Sequence, residues 1–310
     1  MSLPIHFAPL QGYTDDVYRR IHHDLFGGIT TYYTPFVRME GGGVRSKDMR
    51  DIRPEFNEGV PVVPQIIVKS MKEFEYLTNV VEEKGYQEID INMGCPFPMQ
   101  AKHGRGSGLL AHTDIIQEIS QAIQEKKHLH FSVKMRLGWE DANECMTLLP
   151  LLNSLPLSHI TMHPRLGKQQ YKGEVDLEAF QRFYAECEKP LIYNGDLLTL
   201  EDIDTISNRF PRLGGLMIGR GLLANPALAI EYQQGAPLSP KEKIEKIRLL
   251  HADVFSQYGN LLEGGDLQLL TKMRTFWEYL LPDGDRKAKK VIHKTSKLSN
   301  YQAAVSNLLK

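Results

Sequence analysis

Among the residues able to do chemistry, Cys95 has the most suggestive surroundings. It lies in the run "DINMGCPFP", residues 90–98. Gly94 and Pro96 flank it and force a turn that presents the thiol instead of burying it. Asn92, three residues earlier, puts a hydrogen-bonding amide beside it. A reactive thiol beside such an amide would make a small chemical site. A lone cysteine at the end of an apolar run carries little by itself. The weight has to come from other polar residues that the fold brings to the same place.

The elements that must position Cys95 are short apolar runs at fairly regular intervals. They occupy residues 5–10, 30–36, 62–67, 88–93, 131–137, 159–164, 191–196 and 215–220. Each reads as a strand buried on both faces, as in a parallel sheet. Helical patterns lie between them, as in "SMKEFEYLTNVVEEKGY", which opens with a Ser70–Glu73 capping box. "TDIIQEISQAIQEKK" and "DLEAFQRFYAECE" repeat the helical spacing. The segment "EGGGVR" reads as a loop, with a short helix expected near Asp48. Eight strands alternating with helices predict an α/β fold, a (β/α)8 TIM barrel over residues 1–236. A doubly wound sheet would carry its glycine fingerprint after the first strand. Here "APLQGYTDD" stands there, and the glycine-rich "HGRGSG" of residues 103–108 follows the Cys95 loop instead. After "QQGAPLSP" the alternation stops, and amphipathic helices predict a small all-α domain over residues 237–310.

Composition narrows the class. The chain has 310 residues, 42% apolar and 24% charged, enough for a sizeable packed core. No apolar run approaches the roughly 20 residues that span a bilayer, and "MSLPIHFAPL" does not read as a secretion signal. Three widely spaced cysteines, Cys95, Cys145 and Cys187, suggest neither a zinc cluster nor a disulfide framework. A reducing cytoplasm, with no structural metal and no membrane contact, is the expectation. Net charge is −1, but its distribution is uneven. Residues 237–310 hold 13 Lys and Arg against 8 Asp and Glu, while the remainder holds 24 against 30. A basic tail on an acidic body fits a polyanion gripped at one end.

In a (β/α)8 barrel the chemistry sits at the C-terminal ends of the strands. Here these ends supply Pro9-Leu10-Gln11, Gln65, Asn92 with Cys95, Lys134 with Arg136, His163 with Arg165, Asn194-Gly195-Asp196 and Gly219-Arg220. A buried Lys134 or Gln65 is costly unless partnered. Gly-Arg after the eighth strand suits a phosphate. Lys134 could face an electron-accepting ring, and Gln65 could bond the edge of a flavin. Spacing alone reaches a phosphorylated cofactor in a barrel. Both FMN and pyridoxal phosphate, with Lys134 as its Schiff-base lysine, stay open at this point.

The sequence resembles the tRNA-dihydrouridine synthases, FMN-dependent enzymes that reduce uridine in tRNA. The resemblance is carried by "APLQGYTD", "DINMGCP", "SVKMRLGW", "MHPRLGKQQYKGEVD", "LIYNGDL" and "MIGRGLLANP", in order along the barrel. It implies FMN against Pro9, Leu10 and Gln11, with Gln65, Lys134 and His163 near its ring. Asn194, Gly195, Asp196, Gly219 and Arg220 would hold its phosphate end. Cys95 would be the catalytic acid and Asn92 would orient the uracil, with NADPH (or NADH) as reductant. The tail would correspond to the family's tRNA-binding domain, and "KMRTFWEYL" to the helix near the RNA. Arg136, Arg165, Lys272 and Arg274 are the expected RNA contacts, and a monomer is the family-like default. Leu10 stands where the family usually has Met, and His163-Pro164-Arg165-Leu166 where it usually reads His-Gly-Arg-Thr. After Cys-Pro, Pro98 and Met99 replace the one or two lysines of many members, leaving Lys102 or Arg105 as substitutes. Two rivals are an FMN barrel of the dihydroorotate dehydrogenase kind, acting on a small molecule, and an RNA-binding protein with an idle barrel.

Overall fold

A computed structural model describes residues 2–310. The eight apolar runs all become parallel strands: β1 (Ile5–Phe7), β2 (Thr31–Tyr33), β3, β4 (Glu88–Met93), β5 (His130–Gly138), β6 (Leu157–Leu166), β7 (Leu191–Asn194) and β8 (Gly215–Ile218). β3 is broken by Pro64 into Val62–Val63 and Gln65–Ile66. The first piece pairs with β2 and the second with β4, so the sheet closes on itself through the one bent strand. Proline has no N–H to give to a ladder, and here its position coincides with the change of partner. Adjacent residues complete the seam: Thr34 N donates to Val63 O, and Val37 N donates to Gln65 O at 2.8 Å.

The expected helices form at Met71–Glu83, Thr113–Glu125 and Leu177–Glu186. Ser70 Oγ accepts from Glu73 N as a cap, but the Glu73 carboxylate turns to Lys69 N and Arg105 instead of closing the box on Ser70. The segment "EGGGVR" is not a plain loop. Met39–Glu40 and Gly43–Val44 form a small antiparallel ribbon, turned by Gly41 and Gly42 at φ 59° and 88°, where only glycine sits without strain. The short helix expected near Asp48 spans Ser46–Asp51.

Four helices end the chain: Pro240–Leu261, Gly265–Trp277, Arg286–Lys294 and Leu298–Leu308. The third, which begins "RKAKK", reads in sequence only as part of the tail's charge. Its composition is dominated by charge, and only Ala288 and Ile292 are buried on it. One apolar cluster runs from the barrel into Ile247, Leu250, Val254 and Trp277. Polar ties add to it. Tyr258 Oη donates to Asp15 Oδ1 at 2.7 Å, and Lys272 Nζ donates to Asp15 Oδ2 at 2.7 Å and to Gly12 O at 2.9 Å. Asp15 lies in the loop after β1, so the same loop that follows Pro9 and Gln11 anchors the tail.

Candidate active site

The C-terminal ends of the strands open onto a cavity of about 610 Å³. Its wall includes Pro9, Leu10, Gln11, Asn92, Cys95, Lys134, Arg136, His163 and Arg220. A smaller pocket of about 60 Å³ shares Pro9, Leu10, Lys134, His163 and Arg220 with it, and adds Asn194, Gly195, Asp196 and Gly219. Most of the residues singled out in the sequence therefore meet at one place. A larger, open groove of about 1020 Å³ lies by Pro190 and Leu191, at the N-terminal end of β7, the face of such barrels that serves stability and not chemistry.

The Cys95 loop is built by a directed chain of hydrogen bonds. The N–H groups of Gly94 and Cys95 both donate to Asn92 Oδ1, at 3.0 and 2.8 Å. These donors oblige Asn92 to present its oxygen to the loop, and its Nδ2 then donates to Gln65 Oε1 at 2.6 Å. Gln65 Nε2 in turn donates to Asp90 Oδ2 at 2.6 Å, and Ser132 Oγ donates to Asp90 Oδ1 at 2.6 Å. Only an acceptor can end such a chain. Asp90 is fully buried, and burial raises its pKa to about 6 against the pull of Ser132, Gln65 and Lys134.

The far side of the loop is fixed as well. Ser107 N and Oγ both donate to Cys95 O, at 3.0 and 2.9 Å. Gly106 lies against Cys95 at φ 59°, and a side chain there would sit 2.6 Å from Cys95 O. The segment "HGRGSG" is thus the buttress of the cysteine turn, which its sequence did not announce. Cys95 itself is half-buried, and burial pushes its pKa up although the Phe97 N–H, Arg136 and Lys134 pull it down. The thiol is therefore the species present at neutral pH.

Lys134 Nζ donates to Asn194 Oδ1 at 2.7 Å. Burial, reinforced by Arg136, lowers its pKa to about 8. Asn194 Nδ2 passes the contact on to Met217 O at 2.8 Å, tying β5, β7 and β8 together. His163 is pushed well below its ordinary range by burial and by Arg136, Lys134, Arg165 and Arg220, so the ring is neutral. Arg165 can only donate, and its Nη1 lies 3.2 Å from His163 Nε2, which places the ring proton on Nδ1. Arg220 Nη2 donates to Asp196 Oδ1 at 2.7 Å and its guanidinium stands 4.9 Å from the Tyr171 ring centre.

Several expected residues do other work. Gln65 is completely buried and is absent from the cavity wall, its amide divided between Asp90 and Asn92. It positions the loop where a ring contact was expected. Arg165 is buried in an ion pair with Asp196 and holds Gly173 O at 2.7 Å, so it cannot face RNA. Arg136 does line the cavity, but its Nη1 is committed to Leu166 O and Gln170 O. Lys272 is committed to Asp15 and Gly12, and Arg274 donates to Thr295 O at 2.8 Å. Both hold the tail in place rather than presenting charge. Arg105, the possible replacement for a missing lysine, is paired with Glu73, while Lys102 is exposed. Sequence reasoning missed Asp90, Ser132 and Tyr171. Asp90 had one visible signal, a carboxylate inside the apolar run "EIDINM".

The description "Dihydrouridine synthase (Dus)" belongs to the family profile that matches residues 6–307. A probable tRNA-dihydrouridine synthase 2 of Bacillus subtilis is 29% identical over 258 residues, covering 81% of this chain and 78% of that protein. The tRNA-dihydrouridine synthase B of Pasteurella multocida is 26% identical over 225 residues, covering 72% and 67%. Among solved structures, a morphinone reductase aligns with a TM-score of 0.53 at 12% identity over 77% of this chain and 88% of that one. The old yellow enzyme from Trypanosoma cruzi aligns at 0.54 and 10%, over 81% and 94%. Those two likenesses concern the barrel fold alone.

Proposed function

The chain belongs to the dihydrouridine synthase family, a family of oxidoreductases that reduce uridine in tRNA, and on that premise we propose how its own residues carry out the reaction. The observation that carries the proposal is a protonated Cys95 thiol on the wall of the cavity that also collects Lys134, His163 and Arg220.

The cavity has the size of a cofactor site, and its residues fit FMN. Arg220 and the Gly219 turn suit the phosphate, with Asn194, Gly195 and Asp196 beside them. Asp196 serves there through Arg220, since a carboxylate repels a phosphate. Pro9, Leu10 and Gln11 form one wall, and Lys134 and the Nδ1–H of His163 offer polar contacts to a flavin ring. Bound and reduced, FMN would supply the hydride needed at C6 of uracil, with NADPH or NADH as its reductant. Cys95 gives its proton to C5. Asn92 keeps one N–H of its amide free for the base.

The target base has to leave its stack to reach this depth. We assign residues 237–310 to tRNA binding as a unit distinct in role from the barrel, residues 1–236. Around its third helix the exposed cations are Arg286, Lys287, Lys290, Lys294 and Lys297, and these take the place of Lys272 and Arg274. Among the described residues no helix is long and apolar enough to cross a membrane, and no cluster of three His, Cys, Asp or Glu side chains is placed to hold a metal ion. The deciding experiment maps dihydrouridine by position in tRNA from a strain lacking this chain. Loss at a defined position, restored by the wild-type chain, is expected. An unchanged tRNA dihydrouridine profile would refute the reading.

A further inference from the structure

Phe97 is 58% exposed although it stands two residues from Cys95 and lines the same cavity. Met99, next to the following proline, is 63% exposed. Single exposed apolar side chains are common on protein surfaces, but this pair is held out by its backbone. Pro96 and Pro98 flank Phe97. Its carbonyl accepts from Gln100 N at 2.8 Å and from Ala101 N at 3.0 Å, so it begins the short helix Pro98–Ala101. Two residues earlier, the carbonyl of Cys95 is clamped by Ser107. The backbone that carries the phenyl ring is thus fixed at the cavity mouth, so only side-chain rotamers remain to be ordered on contact.

We propose that Phe97, extended by Met99, is a stacking shelf for a nucleobase next to the target uridine. This rests on the proposed function. Whatever brings uracil to the Cys95 thiol passes Phe97. When the target base turns out of its stack, its neighbour is left with an uncovered face, and an aromatic ring is the surface that replaces a lost base. Arg38 and Arg45 line the same cavity, but they are paired with Glu40 and Asp48, so the grip proposed here falls to the aromatic face. A protein partner is a poor fit, since a stable interface needs on the order of 1,200 Å² and the shelf consists of two side chains. Where many family members have lysine, Pro98 and Met99 make this lip apolar, so grip here is by stacking in place of charge.

The test measures binding of unmodified tRNA to the FMN-loaded full chain carrying Phe97→Ala, Phe97→Leu, Phe97→Trp or Met99→Ala. Phe97→Ala is expected to raise Kd, and KM with it, by about 5- to 150-fold, the worth of one stacked base. Saturated turnover and FMN content should stay at wild-type level. Phe97→Trp should restore binding, Phe97→Leu should not, and Met99→Ala should have a smaller effect of the same kind. The dependence of log Kd on log salt should keep its slope, because no phosphate contact is lost. Wild-type Kd and KM in Phe97→Ala, equal rescue by Leu and Trp, or a reduced salt slope would each overturn the shelf. So would a dimer that dissociates on Phe97→Ala, which would make a second copy the occupant. A wild-type chain that binds tRNA but forms no dihydrouridine would refute the enzymatic reading, while the Kd comparison would still decide the shelf.

Discussion

Replacing Cys95 with alanine separates chemistry from structure cleanly, because the loop is not held by its sulfur. Its backbone is fixed by Asn92 on one side and Ser107 on the other, and Gly106 packs against the main chain and Cβ. Removing the Sγ of a half-buried side chain takes away little apolar area, so the stability cost is about 1 kcal/mol or less. FMN content and tRNA affinity should therefore survive. Flavin reduction by NADPH should survive too, since it precedes any demand for the proton. Oxidation of the reduced enzyme by tRNA should slow by about 10²–10⁴, the usual worth of a positioned general acid. Burial keeps the thiol protonated, so the wild-type rate should be flat through neutral pH and decline only on the alkaline side. Cys95→Ser should not recover the rate, because a hydroxyl is a far weaker acid than a thiol. The assay is single-turnover mixing of pre-reduced enzyme with unmodified tRNA, followed by flavin absorbance. A wild-type oxidation rate in Cys95→Ala would remove the acid role altogether.

Four other outcomes follow from the same geometry. Arg220→Ala should weaken FMN binding by about 10- to 150-fold, the cost of one charge-assisted hydrogen bond, read by titrating FMN into the apoprotein; unchanged affinity would move the phosphate elsewhere. Lys287→Glu, Lys290→Glu and Lys294→Glu together should abolish tRNA binding with FMN retained, and neutralising them singly should lower the salt slope by about 0.7 each; an unchanged slope would clear that helix of RNA contact. Lys272→Met leaves the buried Asp15 carboxylate unpaired and should cost about 3–5 kcal/mol of stability, visible as a lower unfolding midpoint; a purely RNA-contacting lysine would leave the midpoint alone. The raised pKa of Asp90, about 6, means that the folded state binds its proton more tightly than the unfolded one. Wild-type stability should therefore rise as pH falls from about 7 to 4, by on the order of 3 kcal/mol from this group. Asp90→Asn, whose oxygen can accept from Gln65 and whose amide can donate to Ser132, should lack that rise in urea titrations; an identical pH dependence in the variant would refute the assignment.

The barrel was legible because its strands are buried on both faces and so appear as near-continuous apolar runs. All eight recur as strands at their expected places. The break in β3 was also visible, as Pro64, but its consequence was not. A proline within a strand looks like an edge signal, and only closure of the sheet shows the two halves serving different neighbours. The ribbon at Met39–Val44 escaped because each of its strands is two residues long, below any periodicity. The helix Arg286–Lys294 escaped for the opposite reason: its many charges hide the two residues, Ala288 and Ile292, that it buries.

Residue type marked which side chains must be partnered but not with what. Gln65 illustrates this. A glutamine inside "VVPQII" is expensive without hydrogen bonds, and a ligand was one way to satisfy it. The structure satisfies it from within, and the direction of its bonds is forced from both ends: two backbone N–H groups of the cysteine loop at one end, a carboxylate at the other. Charge misled in the same way at Lys272, Arg274 and Arg165. Each is a cation in a suggestive segment, and each is consumed by a carboxylate or a backbone carbonyl that is remote in sequence: Asp15 for Lys272, Thr295 for Arg274 and Asp196 for Arg165. A basic residue can grip RNA only if folding leaves it unspent. In the tail that condition selects the exposed cations around Arg286–Lys294 over the helix Gly265–Trp277. Lys272 is spent on the barrel and Arg274 on Thr295 within the tail, which leaves the proposed tRNA contact to the exposed bases.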